Sequence, residues 1–188
     1  MNLLINEPPK ILKICGEDIP IQYDFRTWIK FTKLFEKEIG PKETAQMLKL
    51  IFPVKLPKKF DKAIKAIMDF YSTEKLQKSN KKSKKKSKRV YDFEIDSELI
   101  YAAFMQQYEI DLSTADLHWW KFKALFNSLS EDTQFIKVVG YRSMDLSKIK
   151  DKDQKKFYRE MKSFYRLPDN RTEKEKEEGL NNALSGLF

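Results

Sequence analysis

Reactive side chains are scarce in this sequence of 188 residues, which contains one cysteine, one histidine and five glycines. Cys15 has no second thiol with which to form an intramolecular disulfide or share a metal, a cysteine usage typical of a reducing compartment. The glycines form neither a G-x-G-x-x-G motif nor a phosphate-binding P-loop. The sequence therefore predicts no catalytic residue, no metal and no cofactor, and we expect a protein that is not an enzyme.

Long apolar runs are missing as well. No segment approaches the roughly 18 consecutive apolar residues that a membrane-spanning helix requires. The first ten residues do not combine a basic start with an apolar run, so we expect no signal peptide. These absences predict a soluble protein of the cytoplasm that binds no membrane.

Positive charge is concentrated in one place. The formal net charge is +9, but residues 78–89 (KSNKKSKKKSKR) contain eight Lys or Arg and no acidic residue. Subtracting that +8 leaves +1 for the rest of the chain. This distribution does not suit a basic binding face spread over a folded surface.

The lysine-rich segment allows two interpretations. It could contact a polyanion through phosphate charges, in a salt-dependent and sequence-independent way. The residues available for this are Lys81, Lys82, Lys84, Lys85, Lys86, Lys88 and Arg89. It could instead be a flexible linker or insertion, because like charges repel and keep a chain extended. We favour the linker, since the segment has no aromatic side chain to stack on a base, and nucleic acid is not the expected partner.

Aromatic side chains are abundant, with 14 Phe, 8 Tyr and 3 Trp. Each can bury roughly 150–250 Å² of surface. Eight of them fall between residues 93 and 129, namely Phe93, Tyr101, Phe104, Tyr108, Trp119, Trp120, Phe122 and Phe126. So much aromatic surface beside so few reactive groups indicates packing and binding rather than chemistry.

Apolar periodicity predicts the fold class. Segments 11–15 and 19–23 alternate around Gly16 and predict a β-hairpin with this glycine in its turn, with Pro20 marking the second strand as an edge strand. Helices are predicted at about 24–39, 42–51, 58–71, 96–108, 114–129, 130–140 and 147–165. The predicted class is mainly α, a compact bundle of about six to seven helices with a small N-terminal β-hairpin.

Capping residues and breakers set these predicted boundaries. They are Gly40-Pro41 as the end of the first helix, Asp96 as an N-cap, Ser113 with Asp116 as the start of the 114–129 helix, Ser130 as an N-cap and Gly140 as a helix end. The predicted inward stripes are Phe60, Ile64, Ile67 and Tyr71 on the third helix and Phe157, Met161, Phe164 and Tyr165 on the last.

The helix over 114–129 is predicted to be central, because apolar residues occupy two of its sides. His118 lies on this predicted helix. No nucleophile or further metal ligand shares its face at a usable spacing, so we expect a hydrogen-bonded structural histidine.

The chain divides into four predicted parts. Residues 1–77 contain the hairpin and the first helices, and 78–89 form the lysine-rich linker or insertion. Residues 90–168 are an aromatic-rich helical part that shares the core, and 169–188 are a charged tail with a short amphipathic end.

The tail holds a candidate partner-binding motif. Its apolar residues are spaced i, i+3, i+4, i+7, as in a short helix that lies in a groove. The candidates are Leu180, Ala183, Leu184, Leu187 and Phe188. A tail that folds back onto its own bundle explains the same pattern, and both interpretations stay open.

Several motifs are similar to those of one known family. They are the hairpin leading into YDFRTWIKF, the IFP at 51–53, AIKAIMDFY, DSELIYAAFMQQYEIDL, LHWWKFKALFNSL and GYRSMDLSKIK, which together span about residues 11–168. On these motifs the chain resembles the bacteriophage gene-product-fifteen family of tail gene clusters in phages and prophages of Gram-positive bacteria.

The resemblance implies a tail assembly chaperone that acts in the cytoplasm of the bacterial host and is not expected in the mature virion. The implied partner is the tape-measure protein or another tail protein, with possible self-association. A nucleic-acid-binding accessory factor that uses the lysine-rich segment is the alternative, and a structural tail component is a third hypothesis.

Overall fold

A computed structural model describes residues 2–35, 40–72 and 89–168. The elements are β1 (Ile11–Ile14), β2 (Glu17–Pro20), α1 (Phe25–Phe35), α2 (Pro41–Ile51), α3 (Phe60–Ser72), α4 (Ser97–Tyr108), α5 (Trp119–Asn127), α6 (Gln134–Ser143), a 3₁₀ turn (Leu146–Lys148) and α7 (Lys152–Phe164). Seven α-helices and one two-stranded antiparallel sheet in these ranges confirm the predicted class. None of the described helices has the length and apolar character needed to cross a membrane.

The hairpin has a two-residue turn at Cys15 and Gly16. Both have positive φ, 53° and 85°, as the tight turns that match the twist of a hairpin require. Ile14 therefore pairs with Glu17, and Ile11 pairs with Pro20 at the open end. The prediction of Gly16 in the turn is confirmed, but the predicted second strand at 19–23 starts two residues late and runs too long.

Gly40 and Pro41 open helix α2, whereas the sequence predicted them as the end of the preceding helix. Pro41 occupies the first helical position, where a missing N–H costs nothing. The Glu43 carboxylate accepts a hydrogen bond from the Gly40 N–H at 3.1 Å. Gly40 itself is extended and serves as the N-cap.

Helix α5 begins at Trp119, five residues after its predicted start. Residues 23–25 and 117–119 run alongside each other, with hydrogen bonds from Phe25 N to Leu117 O at 3.0 Å and from Trp119 N to Tyr23 O at 2.8 Å. This pairing uses backbone groups that a helix would need, so the helix cannot start earlier. Ser113 and Asp116 therefore do not cap it, and the predicted capping box is wrong.

The last two helices also differ from their predicted bounds. Thr133, not Ser130, caps α6 through its side chain, and the helix continues through Gly140 to Ser143. The predicted helix over 147–165 is split into the 3₁₀ turn and α7, because the Asp151 carboxylate accepts from the Gln154 N–H at 2.7 Å and starts a new helix there.

The core is one cluster that draws on the hairpin and on helices α1 to α6. Its most buried large side chains include Trp28, Phe31, Phe52, Phe104, Phe122 and Phe135. Residues from both sides of the lysine-rich segment thus pack together. Helix α5 buries Trp119, Phe122 and Phe126. On its predicted second side Trp120 packs against the core but Ala124 is exposed, so that side is enclosed only in part.

Two predicted inward stripes are partly wrong. On α3 the predicted Ile67 is fully buried, but Phe60 at the start of the helix is 53% exposed, and Ala63 and Phe70 are buried without having been predicted. Helix α7 buries no residue, and its Phe157 and Phe164 are 47% and 78% exposed. An aromatic side chain at helical spacing is therefore buried only where a neighbouring element covers it.

Candidate functional site

An open apolar groove of about 410 Å³ lies between α1, α4 and the segments that precede α4 and α5. Its apolar lining consists of Phe25, Ile29, Phe93, Ile100, Leu112 and Phe122, and its polar lining of Ser97, Glu98, Tyr101 and Ser113. A preformed concave apolar surface with few polar groups is the usual form of a binding site.

Stacked aromatic rings form the floor of the groove. The Phe25 and Phe122 rings stack with centroids 4.7 Å apart, and the Phe104 ring also stacks with Phe122, at 5.2 Å. Phe122 is fully buried and Phe25 is 4% exposed. The floor therefore belongs to the core, and it keeps its shape without a ligand.

Arg26 fixes the wall formed by the loop at residues 112–115. Its guanidinium donates to the Leu112 carbonyl at 2.7 Å and to the Ala115 carbonyl at 3.1 Å. The Asp24 carboxylate accepts from the same guanidinium at 2.8 Å and holds it in place. These bonds tie the loop to α1 and keep Leu112 against the groove.

The rim is the outer face of α4. Tyr101 and Met105 follow one another by one turn and are 39% and 40% exposed, which extends the apolar surface beyond the groove. Hydrogen bonds from Ser113 lower the pKa of Asp111. Partial removal from water, with Asp111 beside it, raises the pKa of Tyr101. With Glu98, the rim combines a neutral phenol and acidic charge.

A buried ion pair lies at the start of α4. Asp96 is 1% exposed and Arg142 7%, and the two form a bidentate pair with distances of 2.6 and 2.8 Å. The guanidinium also donates to the carbonyls of Tyr165 and Val90, at 2.6 and 3.2 Å. The Asp92 N–H donates to Asp96 at 2.9 Å. The pair is thus fully used in joining α4, α6, the end of α7 and residue 90.

Asp96 occupies the predicted N-cap position of α4, but its side chain caps nothing. It turns inward because Arg142 is there to neutralise it. Arg142 was not predicted from the sequence, although a signal exists: this arginine continues the buried stripe of Phe135 and Val138 at i, i+3, i+7. A charged residue on an apolar stripe indicates a buried partner of opposite charge.

His118 is a structural histidine, as predicted, but it is the N-cap of α5 rather than part of the helix face. Its Nδ1 accepts from the Trp120 N–H at 3.0 Å, so Nε2 carries the proton and donates to the Pro9 carbonyl at 3.1 Å. Burial lowers the pKa of His118. Within residues 2–35, 40–72 and 89–168, no three His, Cys, Asp or Glu side chains are grouped to hold a metal.

The chain on either side of residues 73–88 is anchored. The last carbonyls of α3 accept from α5: Trp120 Nε1 donates to Phe70 O at 2.8 Å, and Lys123 Nζ to Ser72 O at 2.9 Å. On the far side Arg89, a predicted polyanion contact, is ion-paired with Asp92. Trp120 and Lys123 of α5 thus serve as a C-terminal cap for α3.

The other predicted contact residues lie outside the described residues. These are Lys81, Lys82, Lys84, Lys85, Lys86 and Lys88 in the lysine-rich segment, and Leu180, Ala183, Leu184, Leu187 and Phe188 in the tail. Their roles stay predictions, and the groove, which the sequence analysis did not identify, is the candidate site that the geometry provides.

The described chain is a mainly helical protein with an aromatic core and an open apolar groove on its surface. A family model described as bacteriophage Gp15 protein matches residues 4–167, and the chain belongs to this family. The match confirms the resemblance drawn from the motifs. Neither the curated proteins nor the solved structures yielded a match to this chain.

Proposed function

We propose that this protein is a non-enzymatic tail assembly chaperone that binds the tape-measure protein while the phage tail is built. The observation that carries the proposal is the preformed groove of about 410 Å³, apolar in its lining and open to a partner. The family supports a phage protein, and the groove supports one that binds an apolar surface.

The dimensions of the groove and its rim suit a helix. From Glu98 to Met105 the outer face of α4 covers seven residues, or about 10 Å at 1.5 Å per residue, close to two helical turns. An amphipathic helix presents apolar anchors at i, i+3 or i+4, and i+7. One anchor would enter the groove, and the next would pack on Met105, whose flexible thioether adapts to different partners.

Charge narrows the choice of helix. Glu98 lines the groove and Asp111 lies beside Tyr101, with its pKa lowered by Ser113. Acidic charge next to an apolar groove favours a partner with Lys or Arg beside its apolar anchors. We therefore assign the groove to a basic amphipathic segment of the tape-measure protein.

A chaperone for the tape-measure protein needs to bind its partner reversibly and does not need to catalyse a reaction. The tape-measure protein implied by the family resemblance is a very long helical chain, whose apolar stripes would associate with each other before the tail tube covers them. A groove that holds one such stripe reversibly shields it, and the protein then leaves. We therefore propose that this protein acts in the host cytoplasm and is absent from the mature virion. Mass spectrometry of purified phage particles should then not detect it.

Co-expression with the tape-measure protein tests the proposal. The wild-type chain should keep its partner soluble and co-purify with it. Ser97→Trp, which places an indole in the groove, should reduce co-purification at least about tenfold, the equivalent of 1.4 kcal/mol.

Gln106→Trp is the matched control, because residue 106 is exposed on the same helix but does not line the groove. It should co-purify like the wild type. Equal retention of the partner by both variants, with both folded by circular dichroism, would exclude the groove as the binding site. Failure of the wild-type chain itself to co-purify would exclude the chaperone role.

A further inference from the structure

Helix α7 has an aromatic edge that the described residues cover only in part: the Tyr141 ring of α6 meets the Phe157 ring edge-on, with centroids 6.2 Å apart. Phe157 and Phe164 are seven residues apart, so they lie two turns apart on one edge, and they are 47% and 78% exposed. Met161 is half-buried between them. Two exposed phenylalanine rings on the same edge form an apolar patch, and a large exposed apolar patch usually marks an interaction surface.

The neighbouring side of α7 is held by α6. The Tyr141 ring of α6 stacks on Tyr165 with centroids 5.9 Å apart and meets Tyr158 at 6.2 Å. The Arg142 guanidinium donates to the Tyr165 carbonyl, and the Lys162 ammonium to the Met144 carbonyl. The exposed edge therefore belongs to a helix that is itself packed against α6. One side of α7 contacts α6, and the aromatic edge is accessible to a further segment.

We propose that the C-terminal segment 180–188 of the same chain docks on this edge of α7. The described chain ends at Pro168, just past the end of α7 and near Phe164. Residues 169–179 connect it to the segment, and 11 residues span up to about 36–40 Å. Helix α7, with 13 residues, is about 20 Å long. The connection therefore reaches every position on the edge.

The chemistry of the two surfaces is complementary. The segment LNNALSGLF contains no charged residue, and its apolar residues at 180, 183, 184 and 187 have the spacing of one helix face. The run EKEKEE at 173–178 has four Glu and two Lys, a net charge of −2, while α7 has five cations and two anions, a net charge of +3. Apolar residues thus meet the phenylalanines, and the acidic connection meets a basic helix.

Tethering favours this occupant over a separate molecule. A segment joined to its docking site by a connection of this length has an effective concentration in the millimolar range. A second copy or another protein would have to compete with it at cellular concentrations. This site is separate from the groove at α4, and it assigns the tail to its own bundle rather than to a partner.

Hydrogen exchange in the full-length protein tests the proposal. Leu184→Ser/Leu187→Ser should raise the exchange rates of the α7 amides about tenfold, because docking protects them locally, and leave α1 to α5 unchanged. The matched control Asn181→Ser/Asn182→Ser changes polar positions of the same segment and should behave as the wild type. In the reverse direction, Phe157→Ser/Phe164→Ser should raise the exchange rates of residues 180–188.

Three results would overturn the proposal. The first is unchanged α7 exchange in the leucine variant. The second is faster exchange spread equally over α1 to α5, which indicates a global effect. The third is α7 protection that rises with protein concentration while light scattering shows dimers, which assigns the edge to a second copy.

Discussion

Helices α5 and α7 both present aromatic side chains at helical spacing, yet their surroundings differ completely. Helix α5 has four aromatic residues in nine and buries three of them, whereas α7 has three in thirteen and buries none. Helix α5 meets rings from three other elements: Phe25 at the start of α1, Phe104 of α4 and Phe70 of α3. Helix α7 meets mainly α6. Aromatic content therefore indicates that a helix can be covered, and its neighbours decide whether it is.

The same contrast distinguishes the region that stabilises the fold from the regions with exposed apolar side chains. Around α5 the buried donors are used: both indole N–H groups reach carbonyls of α3, and His118 is bonded at both nitrogens. On α7 and along the rim of α4, large apolar side chains remain exposed. The first region fixes the fold, and the other two are the surfaces that we propose for binding.

The largest expected effect comes from removing a ring of the core. Phe122→Ala should lower the free energy of unfolding by about 4–5 kcal/mol, because Phe122 is fully buried among five other rings. Phe164→Ala on α7 should cost less than about 1 kcal/mol, even with a docked tail, since its ring is 78% exposed and lies outside the core cluster of the described residues. Urea unfolding measures both. Similar losses in the two variants would show that α7 contributes as much to the folded core as α5.

Breaking the buried ion pair should have the next largest effect. Arg142→Met leaves Asp96 buried without its partner and should cost about 3–4 kcal/mol by urea unfolding. The double variant Asp96→Leu/Arg142→Met should recover part of this loss, because no charge is then left unpaired. A double variant as unstable as the sum of both single variants would show that the two residues act independently.

The N-cap of α5 should make stability depend on pH. Burial lowers the pKa of His118 in the folded state. Below the ordinary pKa of about 6.5, His118 is therefore protonated in the unfolded chain but still neutral in the folded chain. Stability from this group is present above that pH and falls as the pH drops toward the lowered pKa. The slope cannot exceed about 1.4 kcal/mol per pH unit for one proton.

His118→Asn is the control for this titration. Asparagine keeps a side-chain oxygen that can cap α5 but does not titrate. Urea unfolding between pH 5 and pH 7, flanking the ordinary pKa of about 6.5, should therefore show a steeper fall for the wild type than for the variant. Identical slopes would assign the pH dependence to the carboxylates.

Sequence periodicity predicted the elements better than their ends. The hairpin and the helices could be found because their apolar residues repeat at periods of two and 3.6. The start of α5 could not, since it depends on the backbone of residues 23–25, almost a hundred positions away, taking the hydrogen bonds of 117–119. Thr133 was missed because Ser130 satisfies the same local capping rule.

The candidate site was harder to predict for a related reason. The groove is lined by residues from 25 to 122 whose individual signals are those of an ordinary core, and only the packing leaves a gap between them. Asp96 could be placed at the helix start from sequence, but not its inward turn toward Arg142. Long-range partners, rather than local propensity, decide both features.

The smallest expected effect tests whether α7 is part of the cooperative core. Asp151→Ala removes the carboxylate that caps α7 and should cost about 0.5–1 kcal/mol of local helix stability. Since α7 buries no residue, the loss should appear as faster hydrogen exchange at its first-turn amides, with almost no change in the urea midpoint. Asp151→Ser retains a capping oxygen and should restore the protection. If instead the urea midpoint fell as much as for a core substitution, α7 would unfold together with α5. Helix α7 would then be part of the cooperative core, and its exposed edge would lie on an element that stabilises the fold.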